Sequence, residues 1–464
     1  MAKSKQSGMN AQERKSVSAL SSIFALRMMG LFLILPVFST YAHGLDGALE
    51  HPELVGIALG AYGLTQALFQ IPFGMMSDKF GRKPVIAAGM LIFAIGSIMA
   101  GMADDIMGVL IGRIIQGSGA VAAAVIALTA DLTREEHRTK AMASIGVTIG
   151  MSFAVSMAIA PILNAWVGVP GIFMLTAAFS LLSILILYVI VPEPKVIKHH
   201  SDSEVTTGMF KHVLKHGALL RLDVGVFVLH MSLTALFVVL PLVLIHQNLL
   251  PQAEQWKLYL PVMLLAFVLM VPLIIVAEAK RKMKKIFLLS IAMLMIACVM
   301  FASLHDSLWG IVVALLIFFT GFNTLEASLP SLVSKYAPAG AKGTAVGVFN
   351  TSQFFGAFIG GVLGGFLYDP LVHNYADVFF TVAGMLGVWW LIAAFMPEPP
   401  YLATLTLKVS AKDEQDARRI EQALLAFDGV AEVNVILEEG AAYCKLDRKV
   451  ADEQALVAEA ARFA

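Results

Sequence analysis

The sequence is poor in charge and in cysteine. Only 14% of its 464 residues are charged, and its 33 Lys and Arg balance its 33 Asp and Glu. No net charge is therefore available to attract nucleic acid. Cys298 and Cys444 lie far apart in different kinds of segment, which excludes a disulfide framework and the ligand spacing of a metal site. No nucleophile–base pair or phosphate-cradling glycine loop stands out, so the sequence indicates no enzyme and no cofactor.

Apolar residues are what the chain has in excess. They make up 58% of the sequence, with a mean hydropathy of +0.79, which is typical of a polytopic membrane protein. The apolar stretches form two sets of six, and each has close to the ~20 residues that a membrane-spanning helix needs. We number these predicted spans 1 to 12, at 19–42, 54–76, 84–103, 106–130, 141–165, 171–192, 219–246, 257–278, 286–304, 307–333, 343–367 and 376–396.

The six-plus-six layout predicts an all-α polytopic membrane protein with twelve transmembrane helices in two halves. The N-terminal half covers residues 1–192, and the C-terminal half covers 218–400. A polar segment, 193–217, reads as the linker between them. Two such halves related by an axis along the membrane normal place a substrate site between them, near mid-membrane.

Lys and Arg residues predict the orientation. Connections on one side carry 22 of the 33, and the connections on the other side carry only Lys257. By the positive-inside rule, both termini and the linker lie in the cytoplasm. The transmembrane part is surrounded by the lipid bilayer, and nothing indicates nucleic acid as a partner.

Residues 401–464 have a different character. Strand-like alternation at 404–410, 430–437 and 441–447 is interspersed with helical spacing at 413–427 and 450–463. This order predicts a small α+β domain of ferredoxin-like type on the cytoplasmic side. We expect it to contact itself, a second copy or a small regulatory ligand.

The most specific motif lies between predicted spans 2 and 3, in a stretch that we interpret as a charged loop at 74–83. It has the form Gly-x-x-x-Asp-(Arg/Lys)-x-Gly-Arg-(Arg/Lys) and resembles the corresponding loop of the major facilitator superfamily of secondary transporters. The resemblance implies that Arg82 pairs with Asp131 and that Asp78 meets the start of span 11, near Lys342, as a cytoplasmic latch of the outward-facing state. All its positions are filled: Gly74, Asp78, Lys79, Gly81, Arg82 and Lys83.

Ionisable side chains inside spans are costly and are therefore candidates for proton or substrate coupling. Glu326 in span 10 could pick up and release protons, or make a structural hydrogen bond. His230 could pair with it or be a satisfied core histidine. Arg113 resembles the arginine that the superfamily links with proton coupling in span 4, or it serves packing. Arg27 could serve an anionic substrate or a buried ion pair.

Polar residues inside the spans are expected to line a largely apolar cavity. Such a cavity suits amphipathic substrates, because a few hydrogen-bonding groups are set among Met, Phe and Leu. The expected lining residues are Tyr62, Gln66, Gln70, Gln116, Asn323, Asn350 and Gln353.

Four stretches carry a closer resemblance: Gly112-Arg113-Ile-Ile-Gln116-Gly-Ser-Gly-Ala, Asp131-Leu-Thr-Arg-Glu, Lys280-Arg-Lys-Met-Lys and Pro330-Ser-Leu-Val-Ser-Lys335. Together with the added C-terminal domain, they resemble the YajR-like group of the superfamily, and the resemblance runs over nearly the whole chain. That resemblance implies a proton-driven efflux transporter of the bacterial inner membrane, with a small molecule and protons as its partners. One departure weakens the antiport assignment, because Gly146 and Gly150 are followed by Ala160-Pro161 without the glycine pair usual in span 5 of antiporters.

The sequence leaves two other functions open. An importer, either proton-coupled or facilitative, could use the same fold. A membrane sensor that moves no substrate could signal through its C-terminal domain.

Overall fold

A computed structural model describes residues 8–193, 210–338, 341–369, 371–399, 402–437, 440–447 and 449–463. Sixteen α-helices and three strands make up its regular structure in these ranges. The helices are α1 (Ala11–Phe32), α2 (Leu35–Ala42), α3 (Glu53–Phe80), α4 (Arg82–Met102), α5 (Ile106–Ser118), α6 (Ala122–Asp131), α7 (Glu135–Val189), α8 (Phe210–Lys215), α9 (Gly217–His246), α10 (Trp256–Ala279), α11 (Met283–Ser303), α12 (Leu308–Tyr336), α13 (Lys342–Leu367), α14 (Tyr375–Ala394), α15 (Glu414–Leu425) and α16 (Glu453–Ala460).

Eleven helical segments in the described part of the chain are long and apolar enough to cross a membrane. One of them belongs to α7, whose 55 residues would extend roughly 80 Å if straight, far more than one bilayer. Gly168 has non-helical dihedral angles (φ 68°, ψ 173°) and divides α7 into two crossings. Predicted spans 5 and 6 are therefore these two parts, and the twelve predicted crossings are all accounted for.

Two other crossings are broken helices. The first consists of α1 and α2, which meet just before Pro36, and the fourth consists of α5 and α6, which are separated at Gly119. Side chains cap several helix starts. Asn10 and Glu13 form a capping box at α1, and Ser307 caps α12. Most of the predicted linker, residues 193–217, lies outside the described residues, and its last part forms α8.

The interpretation of 74–83 as a loop was wrong. Helix α3 continues to Phe80, α4 begins at Arg82, and Gly81 alone connects them, at a φ of 93° that favours glycine. The helix persists because its polar groups are satisfied within it. Ser77 Oγ donates to the Gly74 carbonyl at 2.7 Å, and Arg82 pairs with Asp78 one turn away.

The connections divide into two sets, one at each end of the bundle. We call the end with the α3–α4 connection and the linker the basic face, and the other end the opposite face. The halves touch near the opposite face, where Ser39 Oγ donates to the Val238 carbonyl at 2.5 Å and Gln252 Nε2 donates to Thr40 Oγ1 at 2.5 Å.

Glycines bring α3 and α13 into backbone contact between the halves. A Cβ atom added at Gly56 would lie 2.1 Å from the Gly361 carbonyl oxygen, and one at Gly361 would lie 2.3 Å from the Gly56 oxygen. Gly60 and Gly63 meet the backbone of α13 in the same way, at Phe358 and Phe354 oxygens. No larger residue fits this seam without separating the two helices.

The C-terminal domain has the predicted order of elements. Strands β1 (Ala403–Lys408), β2 (Val430–Ile436) and β3 (Ala441–Leu446) form an antiparallel sheet in the order β1-β3-β2. Cys444 and alternate residues of β3 pack against α15 and α16 in a separate core. This arrangement fits a ferredoxin-like domain. Residues 438 and 439, between β2 and β3, lie outside the described residues.

The other face of the sheet rests on the C-terminal half. Tyr443 and Lys445 on that face are buried, and Lys445 Nζ donates to the carbonyls of Lys335 and Ala337 at the end of α12. Arg281, between α10 and α11, binds both carboxylate oxygens of Asp447 at 2.7 and 3.0 Å. A lysine is thus buried against the last carbonyls of α12, where the helix dipole favours a cation.

Replacing Gly56 with alanine should destabilise the protein. A Cβ atom there overlaps the α13 backbone, and overpacking of this kind costs about 1–3 kcal/mol. Thermal unfolding in detergent should show a lower midpoint for Gly56→Ala. The matched control is Gly150→Ala, because an added Cβ at Gly150 meets nothing within 4 Å. Equal midpoints for the two variants would contradict the close seam.

Replacing Arg281 with glutamine should loosen the C-terminal domain. The Arg281 guanidinium holds the pKa of Asp447 below its usual range, so this interaction is complete above about pH 4 and is lost only as the pH falls through the lowered value. At pH 8 the variant should therefore show faster acetylation of Lys445, which is buried in the docked domain, when mass spectrometry follows the modification. Arg418→Gln removes only an exposed pair with Glu414 and should leave the rate unchanged. Protection of Lys445 in both variants would show that Arg281 does not hold the domain.

Candidate functional site

The motif residues at the basic face form a buried ionic cluster around Arg82. Its Nε donates to Asp131 Oδ2 at 3.0 Å, and its Nη1 contacts Asp78 and donates to Ser77 Oγ at 2.9 Å. The Arg82 and Asp131 side chains are 1% and 0% exposed. The cluster therefore joins the α3–α4 connection to the end of α6, which is the pairing that the motif predicts.

Other motif residues fasten the same connection. Lys83 Nζ donates to the Val191 carbonyl at 2.6 Å and pairs with Glu193 at 3.1 Å, which ties the start of α4 to the end of α7. Lys79 lies over the ring of Phe80 at 5.5 Å. Gly74 faces α6, where an added Cβ would lie 3.4 Å from the side chain of Ala123.

Asp78 is bonded to Arg82 and not to Lys342 in this structure. We expect the predicted contact with the start of α13 only in a conformation in which the halves meet at the basic face. Here their backbone contact is near the opposite face. That contact therefore stays a prediction for the other conformation.

Arg113 is fully engaged inside the N-terminal half. Its Nη1 donates to Gln116 Oε1 at 2.6 Å, its Nη2 to the Leu59 carbonyl at 3.1 Å, and its guanidinium lies 5.1 Å from the centre of the Tyr62 ring. Gln116 in turn donates to Ser97 Oγ at 2.8 Å. Both side chains thus join α5 to its neighbours α3 and α4, and neither contacts a carboxylate of the described residues.

Arg27 is buried in a polar cluster with α3. Its Nη2 donates to Gln66 Oε1 at 2.8 Å and to Tyr62 OH at 3.2 Å, and Gln66 Nε2 donates to Gln70 Oε1 at 3.3 Å. The Arg27 side chain meets no carboxylate among the described residues, and its Nε and Nη1 have no hydrogen-bond partner there. Of the two predicted roles, the buried ion pair is not formed. A charge with spare donors remains in the middle of the N-terminal half.

The C-terminal half has a second polar cluster, contributed by α9, α12 and α13. His230 Nε2 lies 2.8 Å from Gln353 Nε2 and 3.7 Å from Glu326 Oε2. The other ring nitrogen, Nδ1, lies 3.2 Å from the Val226 carbonyl oxygen. Because a carbonyl oxygen only accepts, Nδ1 carries the hydrogen of the neutral ring, and Nε2 accepts from the amide of Gln353.

The predicted cavity residues fall into two groups. Asn350 and Gln353 are half-buried on α13, beside the boundary between the halves. Asn323 is buried and its Nδ2 has no partner in the described structure. In this conformation the remaining ones lie inside the N-terminal half, where none is more than 2% exposed: Tyr62, Gln66, Gln70 and Gln116.

Sequence reasoning missed Asp223, which is buried in α9 at 7% exposure. It precedes His230 by seven residues and therefore lies on the same face of the helix, two turns closer to the basic face. The available signal was the only carboxylate in a largely apolar helix of 30 residues, placed in its second turn.

No group of three or more metal-binding side chains occurs among the described residues. Cys298 and Cys444 are both free and buried. Burial raises the pKa of the Cys444 thiol to about 11, so this sulfur is a poor metal ligand at neutral pH.

Comparisons with known proteins agree with this architecture. Residues 20–361 match the Major Facilitator Superfamily. The chain is 43% identical over 442 residues to the inner membrane transport protein YajR of Escherichia coli strain K12, covering 95% of this chain and 96% of that protein. It is 28% identical to the multidrug resistance protein MdtH of Proteus mirabilis, covering 74% and 84% of the two chains.

Solved structures share the fold. One is a bacterial homologue of the human lysosomal transporter Spinster in an inward-facing, occupied conformation, with a TM-score of 0.67 at 14% identity. The alignment covers 83% of this chain and 97% of that chain. At this level of identity the likeness concerns the fold alone.

Replacing Asp131 with asparagine should destabilise the protein. The change removes the charge of one partner of Arg82, which keeps its contacts with Asp78 and Ser77, and loss of a hydrogen bond to a charged group costs about 1.5–3 kcal/mol. The measurement is the free energy of unfolding in mixed micelles. Glu193→Gln is the matched control, because its side chain is 74% exposed and a surface pair with Lys83 contributes about 0–1 kcal/mol. Similar small losses of unfolding free energy in both variants would contradict a stabilising role for the Arg82 cluster.

Proposed function

The chain belongs to the major facilitator superfamily, and on that premise we propose that it exports small amphipathic molecules in exchange for protons. It is a multi-pass transporter of the bacterial inner membrane and not an enzyme. The coupling to protons, the direction of transport and the substrate class are the parts that we propose. The cluster of His230, Gln353 and Glu326 is the observation that carries the coupling to protons.

The orientation of the protein in the membrane follows from the distribution of its Lys and Arg residues. The basic face carries nearly all the Lys and Arg residues outside the spans, and the opposite face carries Lys257. We infer that the basic face is cytoplasmic, together with both termini and the docked C-terminal domain. Contact between the halves near the opposite face then corresponds to a molecule that is closed toward the outside.

The cluster of His230, Gln353 and Glu326, which we call the central cluster, has the geometry of a proton acceptor. Neutral His230 accepts a hydrogen bond from Gln353, and the Glu326 carboxylate stands 3.7 Å from the same nitrogen. A proton arriving at Nε2 turns it from an acceptor into a donor. The Gln353 NH₂ group must then turn away, and the carboxylate becomes the natural partner of the imidazolium.

This exchange of partners takes place beside the boundary between the halves. Gln353 is on α13, which forms the glycine seam with α3 of the other half, while Glu326 is on α12 of the same half as α13. Protonation at His230 therefore weakens a bond to the helix that contacts the N-terminal half and strengthens a bond to α12. Such a change gives protons a means to shift the balance between the two conformations.

The N-terminal half supplies a group for the substrate. Arg27 has unused donors and no carboxylate partner among the described residues, so it can bind a polar or anionic end of an amphipathic molecule. The apolar surface is provided by Phe153 and Phe322. Their ring centres lie 6.2 Å apart across the boundary between the halves.

Asp223 lies on the same helix as His230, two turns closer to the basic face. It is therefore positioned to pass protons between His230 and the cytoplasm.

The test is a proton-flux assay in proteoliposomes with a panel of lipophilic ions of either sign. Wild-type protein should show substrate-evoked proton movement, and Glu326→Gln should lose it by at least ~10-fold, because a neutral amide cannot stabilise the imidazolium that forms when His230 takes up a proton. Glu254→Gln, an exposed carboxylate change near the opposite face, should keep it.

The outcomes separate the rival functions. Substrate exchange that persists in Glu326→Gln while proton movement is lost supports coupling at the central cluster. Uptake toward the cytoplasm with the proton flow indicates an importer. A wild-type protein with no evoked flux for any compound overturns the efflux proposal and favours a sensor that acts through the C-terminal domain.

A further inference from the structure

The opposite face is nearly free of permanent positive charge but rich in histidine. Lys257 is its only lysine or arginine, whereas five of the eleven histidines lie in its connections or at the helix ends beside them. At pH 7 this face is negatively charged, because its connections and the adjoining helix ends carry nine Asp or Glu residues against one lysine. At pH 5 to 6 its histidines can add several positive charges. These histidines are His43, His51, His246, His305 and His373.

Three of them line a single cavity of about 290 Å³. His43 follows α2 in the N-terminal half, while His246 ends α9 and His373 precedes α14 in the C-terminal half. Thr40 and Leu242 complete the wall between them. The cavity therefore exists in this form only while the halves meet near the opposite face.

His43 has no place for a second proton in this arrangement. Its Nδ1 lies 2.8 Å from the Ser39 carbonyl oxygen and so carries the hydrogen of the neutral ring. Its Nε2 is buried and has no hydrogen-bond partner in the described structure. Burial lowers the pKa of His43, with the bond to Ser39 acting in the other direction.

The two histidines of the C-terminal half face each other and neutral partners. The ring centres of His246 and His373 are 4.6 Å apart, and His246 Nδ1 is 3.0 Å from the hydroxyl of Tyr375. Tyr375 is also stacked on Tyr368, whose ring meets His43 edge-on at 5.9 Å.

The other titratable groups around the cavity do not neutralise the three rings. His305 lies against Tyr375 at 5.8 Å, and the Asp369 carboxylate accepts a hydrogen bond from the Leu371 amide. No carboxylate is ion-paired with His43, His246 or His373 among the described residues. His51 differs, because its Nδ1 lies 3.3 Å from Glu53 Oε1.

We propose that His43, His246 and His373 form a proton-binding site between the halves, and that protons binding there open the opposite face. The ligand is the proton itself. The site is separate from the central cluster around His230, and the proposal depends neither on the direction of transport nor on the orientation in the membrane.

The direction of the pH effect follows from the difference in proton affinity between the closed and the open state. In the closed state a proton on the buried Nε2 of His43 has neither water nor an acceptor, and protonated rings of His246 and His373, which are exposed, repel each other at 4.6 Å. In an open face the same rings are hydrated and farther apart. The closed state is therefore favoured above the ordinary histidine value of about 6.5, and the open state gains as the pH falls below it. Each histidine whose affinity for a proton differs tenfold between the states changes their ratio by up to ~10-fold.

The experiment measures the opening of the opposite face directly. Spin labels at Trp166→Cys and Leu371→Cys, one in each half and both at exposed positions, report the distance across that face. The labelled protein, with Cys298 and Cys444 replaced by alanine, is placed in nanodiscs and measured by pulsed electron resonance from pH 8 to pH 5. The long-distance population should rise at least ~10-fold relative to the short one as the pH falls through 6.

Three variants locate the effect. His43→Gln combined with His246→Gln and His373→Gln should keep the short distance at every pH. His51→Gln is the matched control on the same face and should leave the wild-type response intact. His43→Lys places a permanent charge in the cavity and should favour the long distance even at pH 8, which guards against a triple variant that merely fails to fold.

The same measurement in Glu326→Gln separates this site from the proposed central coupling. A pH response that survives in Glu326→Gln and disappears in the triple variant supports the histidine site, even if no transport is ever detected. A response that survives in the triple variant overturns it. So does a wild-type protein whose distances do not change with pH.

Discussion

The hydrocarbon layer offers no hydrogen-bond partners, so each polar side chain in the spans must find its partner inside the protein. This constraint explains how the buried charges are arranged. Arg113 is satisfied by helix carbonyls and Gln116, and Arg82 by Asp78 and Asp131. In both cases these contacts lie within one half. These charges hold a six-helix unit together and need not change partners when the halves move.

Other polar groups are satisfied less completely, and they lie where function is expected. Arg27 keeps unused donors, and Glu326 approaches His230 without a hydrogen bond. His43 has a buried nitrogen without a partner. Each such group makes the present conformation less favourable than a fully bonded one would be. A proton, a substrate or a movement of the halves can supply what is missing, so these are the positions where binding can alter conformation.

The buried polar groups of the C-terminal domain also find their partners inside the protein. The sheet face that an isolated domain of this type would expose is covered by the C-terminal half, with Lys445 at the end of α12. Helix α12 also carries Glu326. A change in docking therefore reaches the helix of the central cluster directly. In this conformation a second copy could reach only the edges and helices of the domain, since the sheet face is occupied.

The sequence by itself determined the crossings, their two sets of six, the charge difference between the two faces and the order of elements in the tail. These follow from local composition and period, because a spanning segment must be apolar along its whole length. The motif also indicated the Arg82–Asp131 pair, through its resemblance to a known loop. Local signals were misleading at residues 74–83, where charge and glycine suggested a loop. Internal hydrogen bonds keep that stretch helical as far as Phe80.

Only the tertiary structure decided that Gln353 meets His230, that Gln66 turns inward to Arg27, and that three histidines from both halves share one cavity. Such pairs are separated by tens to hundreds of residues, and whether they meet depends on how each helix is rotated and how closely it approaches its neighbours.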